Sequence, residues 1–566
     1  MQRMVAMNGG FAMHLKALAD PVERRWLVGR LLNRWKDRQQ PMATPVVPPP
    51  REIPSRLAWT EIPLTSARPG RVPLPGGRSM VVEQDHSWAG FRFDNAALAA
   101  AFHGFAWLAH TPDPVLLAGV WRAWLEAFPA ERADQPAWSA DIVAERSLAL
   151  LDAARLIGLP GPKAAMAATL ADHAATLLGG AIDPLARPGA LARRGHALAR
   201  LGFDLGMPET ARFGVALVLR EIDRLTFPSG VTRLGSTHWH LVLCQSLADL
   251  FLTARRRGDP QAAALETRLQ RALAPVASLT LSGGLPLMGD IAQTLPPGWL
   301  DGLVRGNPMT AGWTGRLPHD DRALLARMRD DNFVADLETL RADGWLRVDQ
   351  GDWSGLWHAT PEGWPAWNGF AHQDLGAPEL HYRGVPVFLD PGGSPVDDLD
   401  GGAACRSAIH HGGLQLDGMD PLPIDRPHYD DAFRRAVAGR PPALAADFDG
   451  ARLDFGRLAG IAGLREGYRR WHFADGGFEI DDLLNGNGRY DLTRRFITPL
   501  AAKVIDQTTV LLEGQGLRFH LSADAPLSLL AGVRWIGYGE TRPVQVIEAA
   551  KSVNLPWRGR VRVVPA

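Results

Sequence analysis

The chain has 566 residues, 46% hydrophobic and 22% charged, which is enough for at least two cores and reads as globular rather than disordered. Lysine plus arginine and aspartate plus glutamate both total 61, so the net charge is zero and no global field draws in nucleic acid or an acidic polymer. Cys244 and Cys405 stand far apart in unlike segments, which argues against a disulfide framework.

Taken from the N-terminus, the first thirty residues are interrupted by Gly, Lys, Asp and Arg and lack a signal-peptide pattern. No apolar run is long enough to cross a bilayer, so the expectation is a cytoplasmic chain. The stretch "VERRWLVGRLLNRWK" (22–36) reads as a basic amphipathic helix. It is either solvated with one docked face or laid on a membrane surface. Residues 41–54, "PMATPVVPPPREIP", form an extended proline-rich linker. The expected N-terminal unit is therefore residues 1–54.

From about residue 95 to 275 apolar residues recur at i, i+3 and i+4. "NAALAAAFHGFAWLAH", "PVLLAGVWRAWLEAF", "DIVAERSLALLDAARLIG", "GPKAAMAATLADHAATLLG", "ETARFGVALVLREIDRL" and "HWHLVLCQSLADLFLTARRR" are the clearest runs. Short Gly, Pro and Asp breaks between them make neighbouring helices antiparallel. Such a series of hairpins curves into an α/α toroid, expected over residues 55–340. After about residue 345 the period changes to two, with Gly and Asn-Gly turns, as in "GWLRVDQGDWSGLWHA", "FEIDDLLNG" and "VLLEGQGLRFHLS". This predicts an antiparallel β-sandwich over residues 341–566. The "NGNG" at 485–488 reads as a hairpin turn rather than a phosphate loop, since no strand-to-helix context with Lys follows.

Nineteen tryptophans against five tyrosines is a skewed aromatic set. Indole faces stack on sugar rings, although most tryptophans are core residues. Trp364 and Trp367 are the candidates for sugar contact, because they adjoin the segment with the most chemistry. That segment is "FAHQDLGAPELHYRGVPVFLDPGG" (370–393), followed by "CRSAIHHGGLQLDG" (405–418). Both resemble sandwich segments of the heparinase II/III family of polysaccharide lyases. "FPSGVTRLGSTHWHLVLCQSLADLF" and "GLPLMGDIAQTLPPGWLDGL" resemble helical-domain segments of exopolysaccharide-associated bacterial members. The resemblance runs over roughly residues 95–500 with the order of segments preserved.

The resemblance implies a sandwich zinc site built from His372, Asp390 and His411. The chemistry suits it: two imidazoles and a carboxylate form a common Zn²⁺ set with water in the fourth position. The separations of eighteen and twenty-one residues call for adjacent strands rather than a local motif, and the plainer alternative is three polar strand-end residues. A structural role for the ion fits better than a catalytic one. His410 stands next to His411 but on the opposite face of an extended chain.

The resemblance also implies β-elimination on a uronate-containing, acidic polysaccharide, which needs a neutraliser for the C5 carboxylate, a base and an acid. The sequence departs from that pattern. Trp239 stands where the family has its tyrosine, Phe370 where it has the first histidine of an HxH pair, and Gly189 and Ala190 where it has Asn-His. An indole is no general base. The expected proton carriers are then His238 and His240, with Trp239 as a stacking platform and Arg193 and Arg194 as carboxylate binders. The alternatives are cap histidines and a solvated arginine face. Tyr382 falls inside a predicted strand. The sequence thus points to a divergent polysaccharide lyase, or to a catalytically degenerate polysaccharide-binding protein in exopolysaccharide production.

Overall fold

Apolar spacing and side-chain caps set the helices of the N-terminal half. The computed structural model describes residues 58–66, 70–82, 95–129, 136–181, 189–331, 335–362, 370–393, 405–423 and 440–566, with a few isolated positions besides. The N-terminal amphipathic segment (apart from Arg24 and Arg25), the proline-rich linker, Trp364 and Trp367 lie outside the described residues. Eight helices follow one another: α1 (Ala96–His103), α2 (Pro114–Ala127), α3 (Ala140–Leu156), α4 (Lys163–Gly180), α5 (Ala190–Leu205), α6 (Pro208–Leu225), α7 (Thr237–Arg257) and α8 (Ala262–Leu279).

The Asn95 and Asp113 side chains accept the first free amides of α1 and α2. Helix α1 does not continue to His110 as the periodicity suggests. Phe105 adopts a left-handed φ of 55° after Gly104, and Ala106–Ala109 forms a separate 3-10 turn. Helices α5 and α6 pack with backbones almost touching. A Cβ on Gly202 would lie 2.3 Å from the Ala211 amide, and one on Gly214 2.4 Å from that of Ala199, so only glycine permits the approach. Helices α5 and α7 are buried on nearly every side, which makes them the inner layer.

Two shorter helices, α9 (His319–Asp330) and α10 (Leu337–Ala342), end the helical domain. Two small two-stranded sheets, Glu61–Ile62 with Leu159–Pro160 and Gly70–Leu74 with Arg78–Val82, lie in the N-terminal half, and the strands of the sandwich begin three residues after α10. A four-stranded antiparallel sheet runs β1 (Trp345–Gln350), β2 (Trp353–His358), β3 (Glu379–Tyr382) and β4 (Val385–Phe388) in spatial order. Then come β5 (Leu414–Leu416), β6 (Ala443–Asp447), β7 (Gly450–Phe455), β8 (Leu464–Ala474), β9 (Gly477–Gly486), β10 (Arg489–Thr498), β11 (Ala501–Asp506), β12 (Thr509–Gly514), β13 (Leu517–Ala523), β14 (Leu527–Gly537), β15 (Glu540–Asn554) and β16 (Trp557–Pro565). They form an eight-stranded sheet ordered β6-β7-β8-β9-β16-β13-β12-β11 and a four-stranded sheet ordered β14-β15-β10-β5.

Alternate residues of these sheets meet in a shared apolar core that includes Trp353, Trp357, Trp471, Phe478 and Phe519. The "NGNG" at 485–488 is not a hairpin. It joins β9 to β10, which belong to different sheets. Gly486 and Gly488, at φ 158° and 104°, turn the corner. A two-residue period cannot say which sheet receives the next strand.

Candidate functional site

Three polar residues from separate parts of the sandwich converge in its interior. His372 lies in the chain leading to β3. Asp390 follows β4, where its Oδ1 accepts the Gly392 amide at 2.8 Å. His411 follows the 3-10 turn Ala408–His410 and precedes β5. All three are at most 1% exposed, and one ligand atom from each lies within 4.8 Å of the other two. His410 is exposed and outside the cluster.

The hydrogen bonds settle which imidazole nitrogens face inward. His372 Nε2 donates to Asp290 Oδ1 at 2.8 Å, and His411 Nε2 donates to the Cys405 carbonyl at 3.1 Å. Each outer nitrogen therefore carries the hydrogen, and each Nδ1 offers a lone pair. His372 Nδ1 is buried without a partner. His411 Nδ1 meets Asp390 Oδ2 at 2.8 Å. A lone pair and a carboxylate at that distance need a cation between them, either a proton on His411 or a metal ion. Burial opposes charge on His411, but the Asp390 carboxylate overrides it and holds the imidazole above its ordinary range. Burial likewise opposes charge on Asp390, and the His411 and His372 rings reverse it, so the carboxyl lies below its usual range. Asp374 is not a member of the triad: its carboxylate faces His358 Nδ1 at 3.2 Å, and its charge adds to the pull on His411.

The helical domain reaches this cluster through the loop Met288–Ala292. Asp290 receives His372 on one oxygen and the Arg406 guanidinium, at 2.7 Å, on the other. The Asp290 amide donates to the Phe370 carbonyl at 2.8 Å. The Asp290 carbonyl accepts from Ser236 Oγ at 2.7 Å, and Ser236 caps α7 by accepting the Trp239 amide. Asp290 was not singled out in the sequence. Its only signal was a lone carboxylate at the end of the apolar, glycine-containing run "GLPLMGD".

On the same lattice, Trp239 and Phe370 pack edge to face with ring centroids 4.9 Å apart. These are the positions at which the sequence resemblance expects a tyrosine and a histidine. Phe370 is buried, whereas Trp239 is partly exposed. Neither side chain carries a proton that can be exchanged with a sugar near neutral pH.

The flanking histidines are corrected. His238 and His240 are each 1% exposed and serve helix packing. His238 Nδ1 accepts the Ala292 amide at 3.0 Å, and His240 Nε2 donates to the Ala272 carbonyl at 2.9 Å. Burial lowers them to about 3 and about 4, so neither is protonated near neutral pH. The two arginines are corrected as well. Arg193 forms a two-bonded pair with Glu145, at 2.9 and 2.7 Å, and Arg194 pairs with Asp141 at 2.7 Å and with the Gly180 carbonyl at 2.6 Å. They fasten α5 to α3 and α4 and are neither a solvated face nor free for a substrate carboxylate. Tyr382 packs against Trp353 and Phe519 in the sandwich core.

A second polar region lies deeper between the inner helices. His196 Nε2 meets Asp249 at 2.7 Å, and Arg200 pairs with the same carboxylate. His196 and Asp249, with Glu145, Arg193, Gln245, Trp299 and Arg316, line a narrow slit. Burial lowers His196 to about 4 against the pull of Asp249, leaving a neutral imidazole in an ion-paired wall.

This pairing of a hairpin-built helical domain with an antiparallel sandwich is a polysaccharide-lyase-like fold. A solved structure of heparinase III matches it at a TM-score of 0.59, with 14% identity over 86% of this chain and 80% of that one. A heparan sulfate lyase from Pedobacter heparinus matches at 0.51, with 15% identity over 88% and 81%. A methylated heparinase III matches at 0.56, with 13% identity over 98% and 91%. No protein-family signature and no curated protein matches the sequence.

Proposed function

We propose that this chain is a polysaccharide-binding protein on the lyase-type toroid and sandwich, with an aromatic platform where an eliminating enzyme keeps its proton-transfer pair. The observation that carries this reading is the Trp239–Phe370 contact. β-Elimination needs a base near the C5 proton and an acid near the departing oxygen. The indole and the phenyl ring supply neither, and the nearest histidines are buried in packing. The partly exposed Trp239 face suits stacking on a sugar ring. The heparan sulfate lyase among the structural neighbours supports an acidic polysaccharide as the polymer.

The sandwich cluster fits a structural zinc ion. His372 Nδ1, an Asp390 oxygen and His411 Nδ1 would hold it, since the first is a buried orphan and the other two face one another without an assigned cation. Bound zinc would supply a cross-link among three chain segments, and with it folding free energy. Asp290 and the Cys405 carbonyl, by fixing both Nε2 hydrogens, give the outer support that metal-binding histidines require.

The test is a panel of uronate-containing polysaccharides assayed for retention of the protein in affinity electrophoresis and for unsaturated uronate ends by ultraviolet absorbance. Binding to at least one polymer without unsaturated product is the expected result. Appearance of unsaturated ends on any polymer overturns the binding-only reading in favour of a lyase that uses other proton carriers. Absence of binding to every polymer overturns both.

A further inference from the structure

A loop of the helical domain, Met288–Ala292, enters the sandwich at Asp290. Asp290 belongs to the helical domain by chain position, yet both its carboxylate oxygens serve the sandwich: one receives His372 Nε2 and the other Arg406. Its backbone is tied in the same way. The Asp290 amide bonds Phe370, the Ile291 amide bonds the Gly393 carbonyl at 3.0 Å, and Asp290 and Gly393 form a parallel bridge. Its carbonyl holds Ser236, the cap of α7.

Two glycines make the approach possible. A Cβ on Gly289 (φ 75°) would lie 2.5 Å from the Gly235 carbonyl oxygen and 2.9 Å from that of Phe370. One on Gly393 would lie 2.6 Å from His372 Cε1. The loop is thus pressed against both the His372 ring and the start of α7.

We propose that Asp290 is the positioning carboxylate of the sandwich metal centre, supplied from the other domain, so that metal binding and the seating of Trp239 against Phe370 are coupled. This rests on the metal reading above. By accepting the Nε2 hydrogen, Asp290 fixes the His372 tautomer and raises the basicity of Nδ1. In return, a His372 ring held at Nδ1 keeps Asp290 in place, and with it the Ser236 cap and the first turn of α7. One connection from the His372 ring to the Trp239 amide runs through Asp290 and Ser236, in hydrogen bonds of 2.8, 2.7 and 3.1 Å.

The experiment uses the full chain. Zinc affinity is measured by competition with a chromophoric chelator for the parent protein and for Asp290→Ala, Asp290→Asn and Ser236→Ala. Amide hydrogen exchange at residues 236–240 is followed with and without zinc. Asp290→Ala should weaken zinc about ten- to a hundredfold. Asp290→Asn, which keeps an acceptor but no charge, should fall between it and the parent. Ser236→Ala should leave zinc affinity within about twofold of the parent yet lose the zinc-dependent protection of 236–240. Parent affinity in Asp290→Ala, or exchange at 236–240 that is indifferent to zinc in the parent, overturns the proposal while leaving the metal site standing. A parent protein that binds no zinc overturns the metal reading itself.

Discussion

Five buried histidines of the helical domain, His103, His173, His196, His238 and His240, are held below their ordinary range, with burial the main cause for each. Three of them already accept an N–H that a second proton would displace. Trp124 Nε1 donates to His103 Nδ1, the Arg146 guanidinium to His173 Nε2, and the Ala292 amide to His238 Nδ1. In the unfolded chain these rings titrate near 6.5, whereas in the fold His103 and His238 wait until about 3 and His196 and His240 until about 4. The unfolded state therefore binds more protons in that window. The contribution is complete above pH 6.5 and is lost as the pH falls toward 4.

At about pH 5 each of the four rings His103, His196, His238 and His240 costs about 2 kcal/mol. Taken independently they approach about 8 kcal/mol, and even half of that is comparable with the lower end of the stability of a typical domain, about 5–15 kcal/mol. Urea unfolding followed by far-ultraviolet circular dichroism at about pH 7.5 and about pH 5 reads this directly. The midpoint of the helical signal should fall by about 1–3 M for an m-value of about 2 kcal/mol per M. A midpoint unchanged between the two conditions refutes the reasoning, and it would mean that these rings protonate inside the fold at little cost.

Three further outcomes follow from particular contacts. Arg146 is fully buried, donates to the His103 and Ala137 carbonyls and to His173, and lies 4.4 and 4.9 Å from the ring centres of Trp124 and Trp138. Arg146→Met leaves those three acceptors unpaired and should lower stability by about 3 kcal/mol in urea titration, and a loss under about 0.5 would show that the buried cation costs as much as its bonds return. Gly393→Ala pushes a methyl into the His372 ring. Zinc content by elemental analysis should fall to below about half of the parent value, and full occupancy would place His372 outside the ligand set. Trp239→Ala should weaken polysaccharide retention about two- to tenfold with the fold intact by circular dichroism, and unchanged retention would remove Trp239 from the binding face.

The order of elements was legible because their signals are local. Helical spacing in "GPKAAMAATLADHAATLLG" and strand alternation in "VLLEGQGLRFHLS" lie within a few residues of one another and became α4 and the β12–β13 pair. That Phe370 and Trp239 stand where the resemblance expects a histidine and a tyrosine was also visible, since each needs only its own segment. What escaped were the partners. Arg193 and Arg194 read as binders of a substrate carboxylate, because the carboxylates that take them, Glu145 and Asp141, stand 48 and 53 residues upstream and nothing in "LARRGH" announces an inner helix. His238 and His240 looked like cleft residues for the same reason.

By itself, then, the sequence determined the two classes of element, their order, and three residues of types suited to a metal. Tertiary structure alone decided that Trp239 and Phe370 touch each other. It alone decided that Asp290, 82 residues before His372 in the chain, completes the support of the cluster. The physical reason is the range of each effect. Periodicity and capping act over one or two turns, whereas a buried charge is satisfied by whichever group the packing of distant segments brings within about 3 Å.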